Sequence, residues 1–279
     1  MILAPIDLSE RSYQGFVQAA RLAKRFHARL EAVYVLPFPP EDASPFGGSL
    51  QEAERRERAL RSIRARIGPM PLVHFLEGNP AAAILTLARE LMPDLIVMGT
   101  HDRSGARRLL MGSVTEAVIR RSPVPVLAVR GEPQPIRSVL APVKFTAYSD
   151  LGLVYAAAVA VGLDAQLTAL HVAEPKEGLA AEAILFAMVG RLPAWAREAT
   201  VTRLAARKGK AVEAIARLSR DHDLVVLVEH SAGPTHELLR GTTLERVLHS
   251  CRSPVLAVPY RRGPTRALKG RKATARKPA

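Results

Sequence analysis

The chain has a single cysteine, Cys251, so an intrachain disulfide is impossible and a reducing cytoplasm is the expected compartment. Cys251 stands shortly before the apolar run Pro254-Val255-Leu256-Ala257-Val258, where a small core residue is expected rather than a reactive thiol. No apolar run approaches the ~20 residues that span a bilayer, so no membrane partner is expected. Pro5 and Asp7 interrupt the only early apolar stretch, which argues against a signal peptide. Catalytic motifs are missing as well. There is no Gly-x-Ser-x-Gly elbow for a serine hydrolase and no Gly-Lys-Ser/Thr ending of a Walker loop. His101, His230, His236 and His249 do not fall into a metal-ligand spacing, so loop or surface positions are expected for them. An enzyme is therefore not expected.

Acidic residues are absent from one whole segment. Residues 261–279 contain eight Arg and Lys and no Asp or Glu, so +8 of the net charge of +14 sits there. With almost nothing apolar to bury, this tail is expected to be disordered and solvated, with weak polyanion contact as its sharper use. The rest of the chain has the balance of a soluble globular protein, being part of a sequence 48% apolar and 24% charged. Its 279 residues suffice for two domains.

What is present is a repeat. Ile2-Leu3-Ala4-Pro5-Ile6 returns as Val139-Leu140-Ala141-Pro142-Val143, and Leu30–Val35 answers to Leu167–Val172 at the same offset. Asp94-Leu95-Ile96-Val97-Met98 matches Asp223-Leu224-Val225-Val226-Leu227, and Pro125–Val129 matches Pro254–Val258. Four matched segments in one order mark a tandem duplication, with copies at 1–131 and 137–260. Short β-branched runs alternate with helical periodicity in each copy, which predicts a doubly wound α/β domain with a five-stranded parallel sheet. In the first copy the strands are expected at Ile2–Ile6, Leu30–Leu36, Leu72–Leu76, Leu95–Met98 and Val126–Val129. Ser9 is placed to cap one helix, Pro80 to open another, and Gly112–Arg121 to form a third. The last strand of each copy is short, apolar and an exposed edge if left alone.

Ligands of open parallel sheets bind beyond the carboxyl ends of the strands, where the strand order reverses. Two loops carry suitable chemistry. Pro5-Ile6-Asp7-Leu8-Ser9 puts a carboxylate after the first strand, suited to ribose hydroxyls. After the fourth come Gly99-Thr100-His101-Asp102 and, further on, Gly112-Ser113-Val114-Thr115 at a helix start. Glycine admits close approach of a phosphate, and a helix N-terminus offers N–H groups to it. Asp94 and Asp223 precede the fourth strands, where a turn or cap role suffices.

The segment MGTHDRSGARRLLMGSVTEAV, from Met98 to Val118, resembles the nucleotide signature of the universal stress proteins. That signature is a glycine, two residues, a second glycine, nine residues, then Gly-Ser or Gly-Thr. Gly99, Gly112 and Ser113 match it, and so do the flanks Ala4–Ser9 and Ser122–Val126. The resemblance implies the strand order 3-2-1-4-5 in each copy and a pairing of the two copies through their last strands. It also implies ATP or another adenine nucleotide in the first copy. Adenine would lie near Asp7 and Val35, with Pro5 and Met98 flanking. Ribose and phosphates would lie along Gly99, His101, Asp102, Gly112, Ser113, Val114 and Thr115.

Two departures stand out. Asp102 replaces the second signature glycine, and its charge opposes a phosphate unless Arg103, Arg107 or Mg2+ offsets it. In the second copy Lys144 stands at the place of Asp7, and Val228 and Ser231 replace the first two glycines, leaving Gly241-Thr242. A structural role is expected for that copy. A response-regulator receiver shares the strand plan but needs a phosphorylatable Asp ending the third strand, where Leu76-Glu77-Gly78 stands. The alternative from another class is a nucleotide-free interaction module working through self-association or a protein partner. Leu179–Val189, apolar nearly all round, supports it, although burial of that helix between the two copies is the expectation.

Overall fold

The computed structural model describes residues 1–36, 48–67, 72–100, 112–144, 149–173, 180–199, 202–230 and 243–260. The basic tail expected at 261–279, with its proposed disorder, lies outside the described residues. The first copy runs β1 (Ile2–Ile6), α1 (Glu10–Phe26), β2 (Leu30–Leu36), α2 (Gly48–Ile67), β3 (Leu72–Glu77), α3 (Pro80–Leu91), β4 (Leu95–Gly99), α4 (Ser113–Arg121) and β5 (Val126–Val129). The second runs β6 (Ser138–Val143), α5 (Ser149–Leu163), β7 (Gln166–Ala173), α6 (Ala180–Gly190), α7 (Ala194–Ala199), β8 (Thr202–Lys208), α8 (Ala211–Leu218), β9 (Leu224–His230), α9 (Thr243–Ser250) and β10 (Val255–Tyr260). Where the first copy has the long helix α2, the second has the pair α6 and α7. Among the described residues no helix is long and apolar enough to cross a membrane.

Each copy has the order expected from the sequence, β3-β2-β1-β4-β5 and β8-β7-β6-β9-β10, with parallel neighbours throughout. The two sheets continue into one of ten strands. β5 and β10 meet antiparallel, with Leu127 opposite Leu256 and flanked by the pairs Val126–Ala257 and Ala128–Val255. Both short terminal edges are thereby hydrogen-bonded, and β3 and β8 remain as the outer strands.

The duplication extends to backbone details. α1 ends on His27 at φ 49° and α5 on Asp164 at φ 57°, and the next residues, Ala28 and Ala165, donate back to Ala23 and Ala160. Gly78 and Gly209, after β3 and β8, sit at φ 108° and 117°, where a side chain would be strained. Asn79 then caps α3 by accepting from the Ala82 N–H at 3.1 Å, and Pro80 fills its first turn. Asp94 pairs with the Met1 amine, while Asp223 accepts from the backbone N–H groups of Arg137 and Ser138 at 2.8 and 2.9 Å. Each aspartate thus ties the start of its β4-type strand to the start of the first strand of its copy.

Two apolar layers cover the sheet, and each runs through both copies. One gathers Phe16, Leu22, Leu153, Ala156, Leu185 and Met188 from α1, α5 and α6. The other gathers Ile84, Leu85, Val118, Ile215, Val247 and Leu248 from α3, α4, α8 and α9. Cys251, fully buried, belongs to the second layer as a core residue, and burial pushes its thiol pKa up.

One expectation is corrected. The apolar helix of the second copy, α6, is not buried between the copies. It packs on β7 and β8, at the end of the sheet far from the β5–β10 junction, and presents Ala181, Leu185 and Met188 to the core. Its opposite side leaves Phe186 70% exposed. The junction itself is bridged by Arg120, which meets Glu245 across the copies at 3.2 Å, and by Arg130, which donates to the Leu248 carbonyl. On the other face the Phe26 ring lies against Gly162 of α5.

These contacts predict unequal energetics at the junction. Leu127→Ala deletes a side chain that is 2% exposed and should cost about 2–5 kcal/mol of stability. Arg120→Ala removes a partly solvated ion pair and should cost about 1 kcal/mol or less. Chemical denaturation of both variants measures the difference; equal losses would contradict an apolar junction.

Candidate functional site

At the carboxyl ends of β1 and β4, the neighbours where the strand order reverses, the first copy encloses a cavity of about 430 Å³. β1 and the turn after it contribute Pro5, Ile6, Asp7 and Ser9, and β2 contributes Val35. Met98 and Gly99 come from the end of β4, and Gly112, Ser113, Val114 and Thr115 from the start of α4. Nine of the eleven residues singled out in the sequence therefore line one cavity. The other two, His101 and Asp102, lie outside the described residues. Ile6 and Ser9 complete the Pro5–Ser9 segment, and four lining residues outside the expected loops escaped the sequence reading: Arg11 and Ser12 from the first turn of α1, and Pro80 and Ile84 from α3. No motif marks them. They arrive through the packing of α1 and α3 on the two faces of the sheet.

The Asp7 turn is held by its own hydrogen bonds. Asp7 Oδ1 accepts from the Ser9 backbone N–H at 3.0 Å and from the Ser9 hydroxyl at 2.5 Å, while the Asp7 N–H donates to Ser12 Oγ at 3.2 Å. Ser9 caps α1 as expected, accepting from the Ser12 N–H. Between them Leu8 adopts φ 67°, an uncommon conformation for a branched side chain. Arg66 of α2 pins it: one guanidinium N–H donates to the Leu8 carbonyl at 2.8 Å, another meets Glu10, and the group lies 5.1 Å from the Tyr13 ring centre.

The other end of the cavity is a helix start. Gly112, the N-cap of α4, is extended at φ −64° and ψ 143° and provides no side-chain cap, whereas α1 and α3 are both capped. The first-turn N–H groups of α4 are suited to an anion. Two of these residues also hold the site together. The Thr115 hydroxyl donates to the Gly99 carbonyl at 3.2 Å and is 3% exposed, so it fastens α4 to β4. Gly99 is glycine for a packing reason. A Cβ there would lie 1.9 Å from the Arg11 carbonyl oxygen, and one on Gly15 would lie 2.5 Å from the Gly99 nitrogen.

In the second copy Val228 occupies the Gly99 position, and its Cγ2 would be 2.7 Å from a Cβ on Gly152, the counterpart of Gly15. Lys144, in place of Asp7, is exposed. Among the described residues no group of three or more His, Cys, Asp or Glu is placed to hold a metal ion.

Comparison with known proteins is decisive for kinship. The Universal stress protein family matches residues 1–130 and again 135–259. The chain belongs to the universal stress protein family. A universal stress protein from Methanocaldococcus jannaschii is 34% identical over 137 residues, covering 46% of this chain and 81% of that protein. A universal stress protein A homolog from Coxiella burnetii is 35% identical over 136 residues, covering 46% of this chain and 94% of its own length. Each of these relatives thus matches about half of this tandem chain. A crystal structure of a universal stress protein from Archaeoglobus fulgidus superposes with a TM-score of 0.72 at 22% identity, covering 92% of this chain and 97% of that one. The tandem arrangement of the fold therefore recurs in a solved universal stress protein.

Two predictions test this geometry. Gly99→Ala forces a methyl into the α1–β4 contact and should cost about 1–3 kcal/mol in chemical denaturation. A fully stable variant would mean that α1 retreats freely. Separately, burial first and the Asp7 charge second raise the Tyr34 pKa above its ordinary value of 10.0. The neutral phenol is thus favoured in the folded state. Its contribution to stability is complete below about pH 10 and is lost as pH rises through the folded-state pKa. In absorbance titrations read as the difference from Tyr34→Phe, Asp7→Asn should lower the Tyr34 pKa only part of the way.

Proposed function

We propose that the first copy binds an adenine nucleotide, ATP or a relative of it, and that the protein is a non-enzymatic regulator of the stress response acting in the cytoplasm. The observation that carries this reading is the single cavity that gathers the signature residues Gly99, Gly112 and Ser113 with Asp7 and Val35. Its volume of about 430 Å³ is of the size that small-molecule ligands occupy. The apolar surfaces of Val35, Ile84 and Met98 suit a base, the Asp7 carboxylate suits ribose hydroxyls, and the uncapped start of α4 suits phosphate. The second copy is a structural partner that completes the sheet through β10.

A second reading draws on Phe186, which together with Ile184 and Trp195 leaves apolar surface on α6 and α7. There the chain is a nucleotide-free module that associates with itself or another protein. Equilibrium dialysis with ATP separates the two. One nucleotide per chain is expected. Gly112→Val should abolish binding, because its β-branched side chain projects from the cavity lining. Gly241→Val in the second copy should leave affinity unchanged, and two nucleotides per chain would refute the asymmetry. Asp102→Gly sorts the role of that carboxylate. A gain of about tenfold, ~1.4 kcal/mol, marks repulsion of phosphate, whereas a loss confined to Mg2+-containing buffer marks a metal ligand.

A further inference from the structure

We infer that Arg11 is the phosphate-reading cation of the cavity, so that the site discriminates phosphorylated adenosine from adenosine itself. The inference rests on the nucleotide reading above and adds to it a residue that no signature position specifies.

Among the described residues that line the cavity, the charged side chains are Asp7 and Arg11. They are held at different strands. The Asp7 carboxylate is tethered to Ser9 in the turn after β1. The Arg11 guanidinium reaches the end of β4, where its Nη1 donates to the Thr100 carbonyl at 3.2 Å. The start of α4 is fastened to that same strand end, through the bond from Thr115 to the Gly99 carbonyl. A cation and the positive end of a helix therefore both stand at the end of β4 and line one cavity. The backbone of Arg11 has little room to shift, since its carbonyl abuts Gly99 with no space for a Cβ between them. A phosphate chain lying along the first turn of α4 enters the field of that guanidinium. A nucleoside, whose base and ribose are served by Val35 and Asp7, does not depend on it. Arginine suits this role because its planar fork matches phosphate oxygens and stays charged at every physiological pH.

The test is binding of ATP, ADP, AMP and adenosine to the full chain and to Arg11→Gln and Arg11→Lys, with thermal melting as a control of folding. For Arg11→Gln, ATP affinity should fall about tenfold to a hundredfold, the size of a lost hydrogen bond to a charged group. The loss should shrink from ATP to AMP, and adenosine should bind within about twofold of the parent. Arg11→Lys should recover part of the ATP affinity, and raising the salt should narrow the gap between parent and Arg11→Gln. Should Arg11→Gln fail to fold, the decision passes to the parent and Arg11→Lys. The parent must then prefer ATP to adenosine with a salt-sensitive ratio that Arg11→Lys reduces. An equal loss for all four ligands would mean that Arg11 merely supports the fold, and an unchanged ATP affinity would mean that it does not meet phosphate. Either result overturns the inference while nucleotide binding stands. A parent that binds neither ATP nor adenosine overturns both.

Discussion

Helix α1 lies so close to β4 that neither Gly15 nor Gly99 has room for a Cβ, and the first copy's site is built around that approach. The contact sets α1 with its first turn over the end of β4, which carries Arg11 and Ser12 to the cavity rim. It also fixes the point from which the chain leaves β4. Thr115 then bonds the Gly99 carbonyl and seats the uncapped start of α4 beside it. Backbone against backbone leaves no flexible side chain to absorb an error. On the other side of the sheet, Pro80 and Ile84 of α3 close the wall.

The second copy shows what happens when that constraint is relaxed. Gly152 is kept, but Val228 stands where Gly99 does, and its methyl fills the space against α5. α5 rests on a side chain where α1 rests on bare backbone. The valine occupies the position that in the first copy is part of the cavity wall, and the exposed Lys144 reverses the charge that Asp7 supplies. Core packing does not suffer. Val226, Leu224 and Ala156 remain fully buried or nearly so, and the apolar layer continues across both copies.

Most of the fold was legible in the sequence because the duplication repeats its own signals. The offsets between copies located the strands, and the same offset relates the left-handed caps His27 and Asp164, a feature visible only in the backbone. The cavity lining was legible where residue types are distinctive along the chain: Asp7, Gly112 and Ser113 belong to short segments that stand out in the sequence, and all three line the cavity. Arg11, Ser12 and Ile84 were not, because a helix position gains access to a cavity only through the packing of that helix. Gly99 was located correctly but explained incompletely, since a glycine that admits a ligand and one that admits a helix look the same in a sequence. The same limit governed α6. Its apolar residues surround the axis, so composition gave no direction, and the structure buries one stripe of it against β7 and β8.

Site and junction are separated by a single strand. The cavity is built at the ends of β1 and β4, and the copies are joined through β5 and β10, where the facing residues are Leu127 and Leu256. The changes that alter the second copy, at Val228 and Lys144, lie on β9 and just after β6 and leave every residue of that pairing apolar. β10 can therefore protect the edge of β5 whether or not its own copy holds a ligand. In a dimer of identical chains such a change would alter both sites at once, because one sequence encodes both halves. Fusion of the copies in one chain removes that coupling. One half is free to keep the α1–β4 contact and its cavity while the other keeps only what the shared sheet and its two apolar layers require.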